Sequence, residues 1–175
     1  MEFNHTVIIK SYELLPEKAK KDFGLSVLVQ YVPQKWEREK SQLKWNIALL
    51  HHGKEILRTQ FSAGIAHLPS FKANARWTTD YDGALEREFL AGRYATRGKW
   101  QPILPNPDDI VACLCSDAEA VDYATFADWA RDLGLDDDSI KAKADYDACL
   151  DIGLRMRNSL SPVVFEKLRE IYADW

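Results

Sequence analysis

The sequence predicts an α+β protein, a small antiparallel β-sheet in the N-terminal half packed with a C-terminal helical subdomain of four helices. Two observations carry this. Up to about residue 61, apolar side chains alternate with polar ones at a period of two, whereas beyond residue 106 they recur every three or four. The second stretch is also punctuated by helix-start signatures, Asn106-Pro107, Thr125, Asp138-Ser139 and Ser161-Pro162. The chain reads as one domain, 1–175, with a β-rich lobe carrying one helix over 1–100 and an acidic helical lobe over 101–175.

In chain order, the opening Val7–Leu15 reads as an edge strand. Phe23–Val32 is rich in β-branched and aromatic residues and is closed by Pro33. Trp45–Leu50 and Glu55–Phe61 flank His51-His52-Gly53-Lys54, where Gly53 can take the positive φ of a reversing turn. In the two arms Trp45, Ile47 and Leu49, then Leu57, Thr59 and Phe61, occupy one face, so the pair predicts a half-buried hairpin. Residues 62–80 read as an irregular excursion interrupted by Gly64, Pro69 and Asn74. Asp80 caps a helix through Gly92 with Leu85, Phe89 and Leu90 on its apolar side, and Arg93–Pro107 forms a second loop.

Asn106 caps the next helix with Pro107 at its first position, burying Ile110, Val111, Leu114 and Cys115. Thr125 opens another, with Asp128 three residues on as the acid of a shortened capping box and Gly134 as terminator. Its inner face is Phe126, Trp129, Ala130 and Leu133. Asp138 or Ser139 starts a long helix seamed by Tyr146, Cys149, Gly153, Met156 and Leu160. Ser161-Pro162 starts the last, with Phe165, Leu168, Tyr172 and Trp175.

Charge divides sharply along the chain. Residues 1–100 hold 16 Lys/Arg and 11 Asp/Glu, a balance of +5, and residues 101–175 hold 7 and 16, a balance of −9, which sum to the net −4. Asp108 to Asp151 alone carries 13 carboxylates against Arg131, Lys141 and Lys143. Such a field selects partners and accelerates encounter without dictating fold or catalysis. No segment approaches the roughly 20 apolar residues that span a bilayer, and the N-terminus lacks the basic-then-apolar pattern of a signal peptide. The expectation is a cytoplasmic protein with no membrane contact. Three cysteines, Cys113, Cys115 and Cys149, read as reduced, buried apolar thiols. Zinc would require Cys113 and Cys115, about 200° apart on a helix, to join Cys149 and His67, so no metal site is assigned.

Two stretches resemble a known family. Phe61-Ser62-Ala63-Gly64-Ile65-Ala66-His67-Leu68-Pro69-Ser70-Phe71-Lys72 is an aromatic, small-Gly-small-His, Pro, aromatic-Lys pattern. The second runs Asp108-Asp109-Ile110-Val111, Leu114, Ser116-Asp117-Ala118, then Thr125-Phe126, Asp128-Trp129-Ala130, Leu133-Gly134-Leu135, Asp138-Ser139, Lys141-Ala142, and ends at Tyr146 and Ala148-Cys149. Over residues 61–155 the chain resembles a widespread family of small phage and prophage accessory proteins. Leu135 stands where the pattern has an aromatic and Ile140 where it has Arg. The resemblance implies a setting in an infected bacterial cytoplasm and no particular reaction.

Candidate chemistry is sparse. Asp136-Asp137-Asp138 lacks the central glycine and distal Glu of a calcium loop, and acids at a helix start are accounted for by the helix dipole. His67, near Arg76, Asp80, Tyr81 and Asp82, is the one candidate imidazole for a small enzyme, but no nucleophile, metalloprotease or phosphate-loop signature accompanies it. No catalytic residue and no cofactor are assigned. Arg58, Phe71, Lys72, Arg76 and Trp77, then Arg87, Arg93, Arg97, Lys99 and Trp100, interleave bases with aromatics as a nucleic-acid surface would. Arg76, Trp77, Arg93, Arg97 and Lys99 form that alternative site, which an overall pI of about 5.6 disfavours. The favoured reading is a non-enzymatic accessory protein that inhibits a host factor with a basic surface, a CRISPR effector or another defence nuclease. Its contact residues are expected to be Asp117, Glu119, Asp122, Asp132, Asp136, Asp137, Asp145 and Asp151, substituting for phosphates. The sequence leaves the oligomeric state open.

Overall fold

A computed structural model describes residues 11–19, 23–32, 42–64 and 104–173. It is α+β, with a four-stranded antiparallel sheet ordered β1-β2-β3-β4 and a helical C-terminal half. The strands are β1 (Ser11–Leu14), β2 (Leu25–Val32), β3 (Gln42–His51) and β4 (Lys54–Gly64). The described helices are α1 (Pro107–Ala118), α2 (Phe126–Asp132), α3 (Ile140–Ser159) and α4 (Pro162–Tyr172), with a 3-10 turn at Glu119–Asp122 between α1 and α2. The expected helix from Asp80 to Gly92 and both irregular loops around it fall outside the described residues.

The chain forms two compact units, each drawing on separated stretches. One comprises 1–13, 28–47 and 58–105, the other 14–27, 48–57 and 106–175.

The β3–β4 hairpin follows from its turn. His52 and Gly53 both take positive φ, +50° and +76°, as a two-residue type I′ turn requires. Central β3 buries Trp45, Ile47, Ala48 and Leu49, while edge strand β4 buries Leu57, half-buries Thr59 and Phe61 and exposes Arg58, Gln60 and Ser62. A second close approach supports the turn. Gly24, at φ +62°, accepts a 2.7 Å bond from the His52 amide, and a Cβ on Gly24 would stand 2.3 Å from the His52 ring.

In the second unit the helix starts are as the sequence specifies. Asn106, Thr125, Ser139 and Ser161 each accept from a backbone amide in the first turn, at 2.9, 3.2, 3.2 and 3.3 Å. Each such cap contributes about 1 kcal/mol. At Thr125 the hydroxyl also donates to the Asp128 carboxylate at 2.7 Å; the shorter acid meets the hydroxyl where Glu would reach the cap amide. Helices α1 and α3 approach closely at Gly153, where a Cβ would lie 2.4 Å from Val121 Cγ1 and 2.7 Å from the Ala118 carbonyl oxygen. Trp129, Ala130 and Tyr146 form a satellite core with Ala120, against which Phe126, Tyr123, Cys149 and Leu150 pack. The rings of Phe126, Trp129 and Tyr146 lie 5.4–6.3 Å apart in tilted pairs.

Two expectations about packing are corrected. Leu133 is 54% exposed, because α2 ends at Asp132 and Gly134, at φ +66°, turns the chain before the apolar period reaches Leu133. Cys113 is exposed, one position off the buried stripe of α1, while Cys115 is buried and Cys149 partly so.

Candidate functional site

The acidic half contains two kinds of carboxylate, and the structure separates them. Over residues 104–173 the sequence has 15 acids and 7 bases. Five of those bases, Arg131, Lys141, Lys143, Arg155 and Arg169, are engaged by Asp128, Asp145, Asp147, Asp151, Asp122 and Glu166. Lys141 meets Asp145 at 2.7 Å and Arg155 meets Asp151 at 2.8 Å, both one helical turn apart and exposed. Being exposed, these pairs contribute little stability, but they cancel charge locally. Asp122 is held by the Arg169 guanidinium, which also lies over the Phe165 ring at 5.4 Å.

Of the eight carboxylates expected to meet a partner, Asp122, Asp145 and Asp151 are therefore already paired within the chain. Asp117 is only partly accessible; burial raises its pKa, and its carboxylate accepts from the Cys149 thiol at 3.7 Å. Asp132, Asp136 and Asp137 are exposed and form no ion pair among the described residues, whereas exposed Glu119 lies within the field of Arg169 and helps raise its pKa. Asp132 accepts from the Tyr123 hydroxyl at 2.5 Å, which raises the tyrosine pKa. Asp138, absent from the expected contact set, belongs with them, because its oxygen and those of Asp136 and Asp137 all lie within 4.8 Å of one another on the surface. Uncancelled charge is thus concentrated on the α2–α3 connection.

That connection is closely hydrogen-bonded. The amide of Leu135 donates to the Ala130 carbonyl at 2.7 Å and that of Gly134 to the Arg131 carbonyl at 3.1 Å, the paired bonds of a Schellman cap. Asp136 then accepts from the Asp138 amide through its side chain at 3.0 Å and from the Ser139 amide through its carbonyl at 3.1 Å. Ser139 caps α3, so the chain is tied from the end of one helix to the start of the next. Leu133, Leu135 and Ile140 project from it, 54, 42 and 89% exposed.

A different carboxylate has left the surface altogether. Asp108 is buried, and its oxygens accept from the amides of Glu17 and Lys18 at 3.0 Å each and from the Tyr172 hydroxyl at 2.5 Å. The Ala19 amide bonds to that same hydroxyl, while burial followed by the Asp108 hydrogen bond raises the Tyr172 pKa. The successive amides of Glu17 and Lys18 thus converge on one carboxylate, and the next amide turns to the tyrosine beside it. Nothing in the local sequence distinguishes Asp108 from the acids around it, since its partners lie 64 to 91 residues away.

The thiols are held toward their protonated, less nucleophilic form. Burial pushes Cys115 up to about 12 and Cys149 to about 11, and burial with Asp117 and Asp109 raises Cys113; the thiolate is the reactive form. The His51 and His52 rings lie 4.3 Å apart, tilted by 48°, and burial, then His52, lowers the His51 pKa. His67 and the acids beside it, and Arg76, Trp77, Arg93, Arg97 and Lys99, lie outside the described residues. No helix among the described residues is long and apolar enough to cross a membrane.

Comparison with family models, with curated proteins and with solved structures finds no match.

Proposed function

We propose that this protein is a non-enzymatic binding protein whose helical half docks on a positively charged surface of another protein. One observation carries this reading: after pairing among the described residues is accounted for, Asp132, Asp136, Asp137 and Asp138 remain exposed and without an ion pair there, on one hydrogen-bonded connection. Charge held this way steers association and rejects polyanions, and both effects weaken as salt screens them. Relative to the eight carboxylates read from the sequence, the contact surface contracts to Asp132, Asp136 and Asp137, with Asp138 added and Glu119 at its margin. The resemblance of residues 61–155 to phage accessory proteins supplies a setting in which the partner is a host factor such as a defence nuclease or CRISPR effector, blocked at a surface that otherwise meets nucleic acid.

Charge reversal at Asp137 and Asp138 tests the proposal, since both are exposed and neither forms an ion pair among the described residues. Wild type and variant are used to capture proteins from host lysate at low and high salt. Basic nucleic-acid-handling proteins retained by wild type, released by salt and lost from the variant support the reading. The same proteins retained by both chains would sink it.

A further inference from the structure

We infer that the α2–α3 connection is a docking corner for a cationic amphipathic helix, with Leu133, Leu135 and Ile140 as its apolar anchors; this deepens the charged-surface reading and rests on it. Isolated exposed leucines are ordinary, but three large apolar side chains within eight residues, on a connection that also carries four acids with no ion pair among the described residues, call for a cover. Ile140 is the most exposed large apolar side chain described, at 89%, and it sits at the first position of α3, where it serves no core. A β-branched residue gains nothing for the helix there.

The backbone around these side chains is already ordered. A Schellman cap fixes Leu133 and Leu135 on either side of Gly134, and the Asp136 and Ser139 bonds fix the approach to Ile140. Anchors presented on a hydrogen-bonded turn lose little conformational freedom on binding, which is the condition under which small apolar contacts yield affinity.

Charge selects the occupant. Asp132, Asp136, Asp137 and Asp138 alternate with the anchors along the chain, and the two bases beside them in sequence, Arg131 and Lys141, face Asp128 at 3.5 Å and Asp145 at 2.7 Å. A nucleic acid or an anionic membrane would be repelled. An apolar stripe at i, i+3 or i+4, and i+7 presents three apolar side chains on roughly 10 Å of one helix face, as many as there are anchors. Lysines or arginines flanking that stripe would meet the carboxylates.

The test uses a synthetic amphipathic helical peptide of Leu and Lys, titrated into the full chain by fluorescence anisotropy, with a Leu and Glu peptide of the same pattern as control. Wild type is expected to bind the Lys peptide and not the Glu peptide. Leu133→Ser with Ile140→Ser, and separately Asp137→Lys with Asp138→Lys, should each weaken binding at least about tenfold, the loss expected when a buried aliphatic contact or its charged rim is removed. All four side chains are exposed, so circular dichroism should show both variants folded. Weakening by the charge pair alone overturns the apolar anchoring and leaves the charged-surface reading standing. Weakening by the apolar pair alone, equal binding by all three proteins, or no binding of the Lys peptide to wild type overturns the inference together with the reading beneath it.

Discussion

The Tyr172 hydroxyl donates to the Asp108 carboxylate at 2.5 Å, joining the end of α4 to the start of α1 across 64 residues of chain. Tyr172→Phe removes one donor and leaves the carboxylate its two amides. The expected loss is about 1.5–3 kcal/mol, the range for hydrogen bonds to charged groups. Asp108→Ala strands two amides and a hydroxyl at once and should cost more, about 3–5 kcal/mol. Urea denaturation of both variants decides the matter; equal losses would show that the amides at 17 and 18 contribute nothing.

Gly153→Ala sets two effects against each other. Alanine favours the helix interior by about 1 kcal/mol, but its methyl would press into Val121 and the Ala118 carbonyl. Overpacking against backbone typically costs about 1–3 kcal/mol, and a carbonyl at 2.7 Å is not the end of a flexible side chain. The variant should therefore melt below wild type, and a higher melting temperature would show that α1 and α3 separate without penalty.

Acid should weaken the fold through the β3–β4 turn. The His51 pKa is lowered in the folded protein by burial and by His52, so the unfolded chain binds more protons as pH falls below about 6.5. Stability from this group is complete above that value. It declines as pH falls toward the folded-state pKa, below which no further loss accrues. His51→Gln should flatten this part of the stability–pH curve, measured by denaturant midpoints from neutral pH downward.

Thiol reactivity should rank by exposure. At neutral pH in native protein Cys113 should be alkylated first, and more slowly than a free thiol because burial and neighbouring acids raise its pKa. Cys115 and Cys149, pushed up to about 12 and about 11, should react only on unfolding. Mass spectrometry of a timed iodoacetamide series reads the order directly.

Much of this architecture is legible in the residues because its determinants are local. A cap speaks to an amide two or three residues on, and a type I′ turn needs only His52 and Gly53. Long-range determinants leave no such trace. Asp108 looks like one acid among many until its partners at 17, 18 and 172 are known, and Asp122 looks free until Arg169 is placed beside it. The pairs Lys141–Asp145 and Asp151–Arg155 are different. Their spacing of four was in plain view, and charge counting alone passes over it. Leu133 continues the helical period in the residues but falls one position past the end that Gly134 imposes. The acids at 132–138 were recognisable as exposed, but their significance comes from which neighbouring bases are already occupied.

Because Asp108 is gripped by main-chain amides, its carboxylate is indifferent to which side chains occupy positions 17 and 18. Nineteen of the genetically encoded residues can offer that N–H and one cannot. Proline at either position would cut the tether, so drift in composition there is invisible to the buried acid while imino substitution is lethal to its anchorage.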